Sequence, residues 1–235
     1  MRRGIAQLVA IGVVIAVLLT VVALVFKWLP TSASQEFDRI QDVYWFATVI
    51  SIGIFSLVAA VVVFSVWKWR VSLDDDADGP PIHGHTGLEI LWTAVPAVLV
   101  IAIGTISAVV LARNGQAGTR PPLEVEAIGQ QFTWKFKYSD FGGLESGELV
   151  LPLGRETRFT MTSVDVIHSF WVPNFGQKMD AVPGIETEIL VTPTRLGDYT
   201  VVCAELCGLG HATMRAKARV VSEQEFERWI QEKQA

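Results

Sequence analysis

Asp198-Tyr-Thr-Val-Val-Cys203-Ala-Glu205-Leu-Cys207-Gly-Leu-Gly-His211-Ala-Thr-Met214-Arg-Ala-Lys-Ala-Arg-Val-Val221 reads as two short strands with a ligand-bearing loop slung between them. The first flank is rich in Thr, Tyr and Val, and the second alternates apolar and polar side chains with the period of a strand. The loop from Cys203 to Met214 holds both cysteines, one of the four histidines and one of the four methionines. Thiolate, imidazole and thioether form the soft ligand set that selects copper over magnesium, calcium or manganese. The alternatives are a Cys203–Cys207 disulfide and a tetrahedral zinc site. A disulfide requires no His four residues after the second Cys, and zinc has no use for a thioether.

A mononuclear blue-copper site needs a single thiolate. Here two sulfurs are on offer, so they could bridge two copper ions, each wanting one terminal imidazole. His211 supplies one, and His168 is the only histidine left in the same half of the chain. It lies in Val166-Ile-His168-Ser-Phe-Trp-Val-Pro173, an apolar strand-like run where a lone His is ordinarily a core residue. Beside an incomplete ligand set, ligation is the better reading. The backbone carbonyl of Glu205 would complete the second copper opposite Met214. Ligands on the rim of a rigid sheet move little between oxidation states, which suits one-electron transfer with no open position for substrate.

Further strand candidates precede this unit. Leu123 to Ala127 alternates, and Phe132, Trp134, Phe136 and Tyr138 alternate with Thr133, Lys135 and Lys137, which predicts four aromatics on one face. Gly147 to Leu151, Thr157 to Thr162, Val166 to Val172 and Thr187 to Thr192 are also predicted strands, with turns at Gly143, Gly154, Gly184 and Gly197. Many short strands with regular turns argue for an all-β sandwich or barrel. Ser222-Glu-Gln-Glu225 is a capping box that opens a closing helix burying Phe226, Trp229 and Ile230.

The first half differs in composition. The chain of 235 residues carries a net charge of -5, and its mean hydropathy of +0.40 is too high for an ordinary soluble domain. An acidic chain without a basic run also speaks against nucleic acid as a partner. Ile5 to Phe26, Val43 to Trp67 and Leu88 to Ala112 are near-unbroken apolar runs. Each exceeds the roughly 20 residues that cross the hydrocarbon core. Trp28, Trp45, Trp67, Trp69 and Trp92 sit near their ends, where amphipathic rings favour the interface. Arg2, Arg3, Lys68 and Arg70 assign the amino terminus and the end of the second run to the cytoplasm, which puts everything after Arg113 outside. The first run is a signal peptide or an anchor, with Thr31-Ser-Ala33 as a cleavage candidate and cleavage slightly favoured. The expected organisation is residues 1–33 as signal or anchor, 40–113 as a transmembrane helical hairpin and 114–235 as the outer domain. Asp74-Asp-Asp-Ala-Asp78-Gly-Pro-Pro81 reads as a solvated connector. Glu89, at the cytoplasmic mouth of the third run, is either an interfacial cap or a point of proton uptake.

Taken together, these residues resemble subunit II of cytochrome c oxidase. The likeness rests on the Cys203–Met214 loop, on Val166–Pro173 followed by Lys178-Met-Asp180-Ala-Val-Pro-Gly184, on Thr86-Gly-Leu-Glu89-Ile-Leu-Trp92-Thr-Ala-Val-Pro96, and on Gly129-Gln-Gln131-Phe132-Thr-Trp134-Lys-Phe-Lys-Tyr138. It covers roughly residues 40 to 221. The resemblance implies a cupredoxin-like outer domain with a binuclear copper A centre. Cys203 and Cys207 would bridge the coppers, His168 and His211 would be terminal ligands, Met214 a weak ligand and Glu205 a carbonyl ligand. It further implies magnesium at the Glu205 carboxylate where the subunit meets subunit I, and Glu89 at the start of a proton pathway. The expected setting is a bacterial-type plasma membrane, with subunits I and III as partners. The donor would be cytochrome c or a tethered cytochrome, and oxygen reduction and proton pumping would belong to the assembly. Phe132 stands where the family usually has the Trp that receives electrons. Trp134 and Tyr138 are substitute candidates for that role. Arg215 replaces a common Pro. Asp140, Glu145, Glu148 and Asp165 are candidates for steering a basic donor. Competing readings are a quinol oxidase subunit, disfavoured because all copper ligands are present; a membrane-anchored copper chaperone or storage protein; and a nitrous oxide reductase domain, disfavoured by the membrane helices.

Overall fold

The computed structural model describes residues 2–70, 79 and 81–235. The connector read at Asp74 to Pro81 lies, except for Gly79 and Pro81, outside the described residues. Three helices, α1 (Arg2–Val25), α2 (Gln35–Lys68) and α3 (Thr86–Asn114), are each long and apolar enough to cross a membrane. α2 begins eight residues before its apolar run because Ser34 caps it. The Ser34 hydroxyl accepts the Phe37 N–H at 3.0 Å, and Glu36 and Asp38 in the first turn favour the positive end of the helix dipole. At about 1.5 Å per residue the 34 residues of α2 outrun a hydrocarbon core of about 30 Å, so its capped start stands clear of the apolar layer. α1 lies against α2 through small residues: a Cβ on Gly12 would stand 3.5 Å from that of Ala60, and one on Gly4 would stand 3.6 Å from the Phe64 ring. Such residues let helices in lipid approach closely.

The β unit is assembled from two pieces of chain, residues 30–41 and 109–235. Ten strands make two sheets. The first contains β1 (Leu123–Gln130), β2 (Thr133–Tyr138), β3 (Leu144–Ser146), β5 (Thr157–Ser163) and β8 (Thr187–Val191), in the order β3-β2-β1-β5-β8. The second contains β4 (Leu149–Pro152), β6 (His168–Trp171), β7 (Lys178–Ala181), β9 (Gly197–Cys203) and β10 (Arg215–Val221), in the order β4-β10-β9-β6-β7. Only β1–β5 and β4–β10 pair in parallel. The alternating side chains of β1 and β5 bury every second residue, the pattern of sheets packed on one face. Phe170 sits at the centre of the core, with ring centroids of Phe159, Trp134 and Phe136 at 5.1, 5.8 and 6.3 Å. The closing helix α4 (Glu223–Gln234) is capped by the Ser222 hydroxyl, which accepts the Glu225 N–H. It buries Phe226, Trp229 and Ile230, and Trp229 meets Tyr138 at 5.2 Å. Burial raises the phenol pKa of Tyr138, which donates to the Val150 carbonyl at 3.0 Å.

Two details depart from the sequence expectations, and a third adds to them. β3 and β7 are additional short edge strands, half exposed and too brief to carry a periodic signal. Of the four aromatics expected on one face, Trp134, Phe136 and Tyr138 are buried, but Phe132 precedes the strand and is 40% exposed. The third concerns Thr31 to Ala33, read as a cleavage segment. Ala33 is fully buried, donates its N–H to the Asn174 carbonyl and accepts the Thr194 N–H, both at 2.9 Å. Ser34 donates to the Phe175 carbonyl at 3.0 Å. The buried Glu36 carboxylate accepts the Thr192 N–H at 2.9 Å. Phe37 covers Gly176, where a Cβ would fall 2.3 Å from the ring. The segment is a strap built into the β unit.

Candidate metal centre

Three pieces of chain meet at one rim of the sandwich. β6 opens with His168, whose ring is fully buried. β9 ends at Cys203, and its pairing with β6 sets Phe170 opposite Cys203. The loop then turns through Cys207 into a short 3-10 turn, His211–Thr213, and re-enters the sheet after Met214. Cys203 and Met214 are joined where the Cys203 N–H donates to the Met214 carbonyl at 3.2 Å.

The two thiols are free and buried, with their sulfurs 3.8 Å apart. A disulfide bond is about 2 Å, so the Cys203–Cys207 disulfide alternative is not the state of this structure. Two thiolates bound at about 2.3 Å to a shared ion at the tetrahedral angle stand about 3.8 Å apart. His168 Nδ1 lies 3.8 Å from Cys203 Sγ, and His211 Nδ1 lies 3.8 Å from Cys207 Sγ. Met214 Sδ is 3.7 Å from Cys207 Sγ, and the Glu205 carbonyl is 3.2 Å from Cys203 Sγ. The ligand atoms of His168, Cys203 and Cys207 lie within 4.8 Å of one another. The donor set therefore fits a soft metal ion. Burial, with the neighbouring Cys203 thiol adding to it, pushes the Cys207 thiol up to about 11, so metal binding must displace a proton.

Around the cluster stand residues whose place beside the ligands the sequence alone did not show. The Asp165 carboxylate meets His168 Nε2 at 2.8 Å and accepts N–H bonds from Gln131 and Val166, both at 2.7 Å. Burial pulls its pKa up, but the Gln131 N–H, His168 and the Val166 N–H outweigh that and hold it at about 2. The Gln131 side chain donates to the Cys207 carbonyl. Gly129 lies flat under His168, where a Cβ would fall 2.8 Å from the ring. A glycine within an alternating strand was the available signal for that close approach.

The three aromatic candidates for receiving electrons separate. Phe132 is partly exposed and its ring covers Gly208 and Gly210. Trp134 and Tyr138 are 1% and 0% exposed, with their side chains in the core. Trp134 does meet the His168 ring edge-on at 6.0 Å. The proposed steering carboxylates are engaged: Asp140 with Arg155, Glu145 with Lys135, Glu148 with Arg219, and Asp165 with His168. Glu89 accepts the His85 N–H at 3.1 Å and so caps α3, while His85 Nδ1 accepts the Leu88 N–H. Among the described residues, no second cluster of three metal-binding side chains surrounds the Glu205 carboxylate.

A helical membrane anchor that carries thiols, imidazoles and a thioether at the rim of a β-sandwich defines an extracytoplasmic electron carrier. Residues 22–110 match the family of cytochrome c oxidase subunit II, transmembrane domain, and residues 144–221 match cytochrome c oxidase subunit II, periplasmic domain. Cytochrome c oxidase subunit 2 of Thermostichus vulcanus is 31% identical over 88% of this chain and 79% of its own length. That of Saccharomyces cerevisiae is 35% identical over 64% of this chain and 69% of its own. The solved periplasmic domain of subunit II of cytochrome oxidase of Bradyrhizobium japonicum is 33% identical over 49% of this chain and 95% of that one, with a TM-score of 0.47. The chain belongs to the cytochrome c oxidase subunit II family. It is the electron-input subunit of a respiratory oxidase, a multi-pass membrane protein with its β domain on the periplasmic side.

Proposed function

We propose that the rim cluster holds a binuclear copper A centre, bridged by Cys203 and Cys207. His168 and His211 are its terminal ligands, Met214 a weak ligand and the Glu205 carbonyl the last. The observation that carries this is the symmetry of the donors: two thiols 3.8 Å apart, each with its own imidazole nitrogen at 3.8 Å. A mononuclear blue-copper site has no need of the second thiolate, and a tetrahedral zinc site has no use for the Met214 thioether, 3.7 Å from Cys207 Sγ. Bound there, the metal pair supplies one-electron transfer with little reorganisation. The protein's part is to hold every donor on paired strands or a bonded loop, so that neither oxidation state drags the backbone.

Electrons arrive from cytochrome c or a tethered cytochrome over the loop and leave towards the haem of subunit I. Leu206 and Leu209 of the ligand loop are exposed, and the partly exposed Phe132 ring lies over Gly208 and Gly210 of that loop, which supports docking there. Because the nearby carboxylates are engaged within the chain, apolar contact carries this docking more than steering does. Glu89 takes up protons from the cytoplasmic side in the assembled complex, with its capping bond the structural role it also serves. Magnesium at the exposed Glu205 carboxylate would draw its remaining ligands from subunit I. Oxygen reduction and proton pumping belong to the assembly with subunits I and III.

The experiment is metal analysis and electron paramagnetic resonance on the full chain in its oxidase. Two coppers per chain sharing one unpaired electron are expected, and Cys203→Ser or Cys207→Ser removes the shared-electron signal. One copper per chain, or none, refutes the proposal.

A further inference from the structure

We propose that Asp165 is a positioning residue of this centre: it fixes the His168 ring with Nδ1 towards the thiols and, through Gln131, ties that ring to the Cys207 loop. The inference rests on the copper reading above. His168 has two ring nitrogens, and only a deprotonated one can ligate. Nδ1 faces Cys203 Sγ, so the ring must carry its proton on Nε2, and Nε2 meets Asp165 Oδ1 at 2.8 Å. A carboxylate there accepts that proton's hydrogen bond and selects this tautomer.

The carboxylate is itself immobilised. Its Oδ1 accepts from the Val166 N–H at 2.7 Å, and its Oδ2 accepts from the Gln131 N–H at 2.7 Å. Gln131 then reaches the other side of the site, where its side-chain amide donates to the Cys207 carbonyl. One histidine ligand and one cysteine ligand, 39 positions apart in the chain, are thus held by a single bonded path. Gly129 presses on the same ring from below, so the imidazole is set by contact on its face and by a hydrogen bond at its edge. A carboxylate serving only to attract a basic donor would have no use for two backbone donors and the His168 ring from its own chain.

The test compares Asp165→Asn and Asp165→Ala with the parent, all as full chains in the assembled oxidase. Competition with a copper chelator should show copper held about 10- to 100-fold less tightly in Asp165→Ala, the usual loss on removing such a partner. Asp165→Asn, which keeps an acceptor oxygen, falls between, and the paramagnetic hyperfine pattern changes in step. In the copper-depleted chains, 15N resonance of the histidine rings should show His168 protonated at Nε2 in the parent and mixed between tautomers in Asp165→Ala. That reading does not depend on the metal, so it tests the positioning role even if Cys203→Ser shows the copper assignment to be wrong. Unchanged copper retention with an unchanged tautomer overturns the proposal. An effect confined to the KM for a basic donor, vanishing at high salt, also overturns it and makes Asp165 a docking charge. Should Asp165→Ala fail to accumulate, Asp165→Asn gives the same contrasts.

Discussion

Gly129→Ala isolates how tightly the sandwich grips its histidine. The new Cβ would stand 2.8, 3.0 and 3.2 Å from Cδ2, Cγ and Cβ of His168, where ordinary contact begins at 3.4 Å. The ring or the strand must therefore yield by about 0.6 Å in a close-packed interior. The strand is held on both sides, Gly129 pairing with Trp134 and with Ser163, so the ring is the part that moves. Movement lengthens the 2.8 Å bond to Asp165 and turns Nδ1 away from Cys203. Overpacking of this kind costs about 1–3 kcal/mol. Replacing Gly in a strand returns about 0.5–1 kcal/mol through the unfolded chain, which leaves a net loss of at most about 2.5 kcal/mol in the metal-free protein. The larger effect falls on the metal: copper content and the shared-electron signal should drop while the helices and the α4 packing stay intact. Thermal unfolding of the metal-free chain and metal analysis of the oxidase read the two effects separately. Full copper loading with an unaltered spectrum would refute the claim that Gly129 sets the ring.

Phe132→Trp should raise the rate of electron transfer from a soluble cytochrome without changing copper content, since its ring lies over Gly208 and Gly210 outside the ligand set; stopped-flow reduction reads this, and an unchanged rate with every donor removes Phe132 from the path. Met214→Leu should keep both metals and alter the spectrum, because a weak ligand tunes more than it holds; an emptied site would show Met214 to be essential. In the metal-free protein, Asp165 binds its proton near pH 2 when folded against 3.8 when unfolded. The folded state thus holds fewer protons in that window, and the stability this adds, complete above pH 4, is lost as pH falls from 3.8 towards 2, its size held down by solvent screening because Asp165 is exposed. Asp165→Asn should flatten that acid limb in denaturant titrations, and an unchanged slope counts against the bond. Amino-terminal sequencing of the membrane-bound protein should find Ala33 retained, because a cut after it would remove its two main-chain bonds; a mature end at Ser34 would refute this.

Legibility in the sequence followed the strength of the local signal. Long apolar runs set the three helices, and soft ligands crowded between Cys203 and Met214 announced the loop. His168 was reachable by counting histidines, but what surrounds it was not. Asp165 looked like any surface carboxylate, and only the turn after β1 brings Gln131 and the Cys207 loop to it. Phe132 kept the alternation of its neighbours yet left their face, because the strand starts one residue later. The short edge strands β3 and β7 carry too few residues for periodicity to register. The strap was not legible because small residues after an apolar run suit a peptidase and a tight backbone pairing equally well.

That strap has a consequence for biogenesis. The periplasmic fold needs Ala33 and Phe37 from one bank of the chain and everything from Val109 onward from the other, with a passage into the cytoplasm and back between them. A nascent chain can therefore finish this domain only after α3 has been threaded outward, so a subunit inserted with the wrong number of crossings leaves the Gly176 groove uncovered. Such an error would show as an exposed Gly176 and as the loss of the main-chain bonds that Ala33 makes to Asn174 and Thr194.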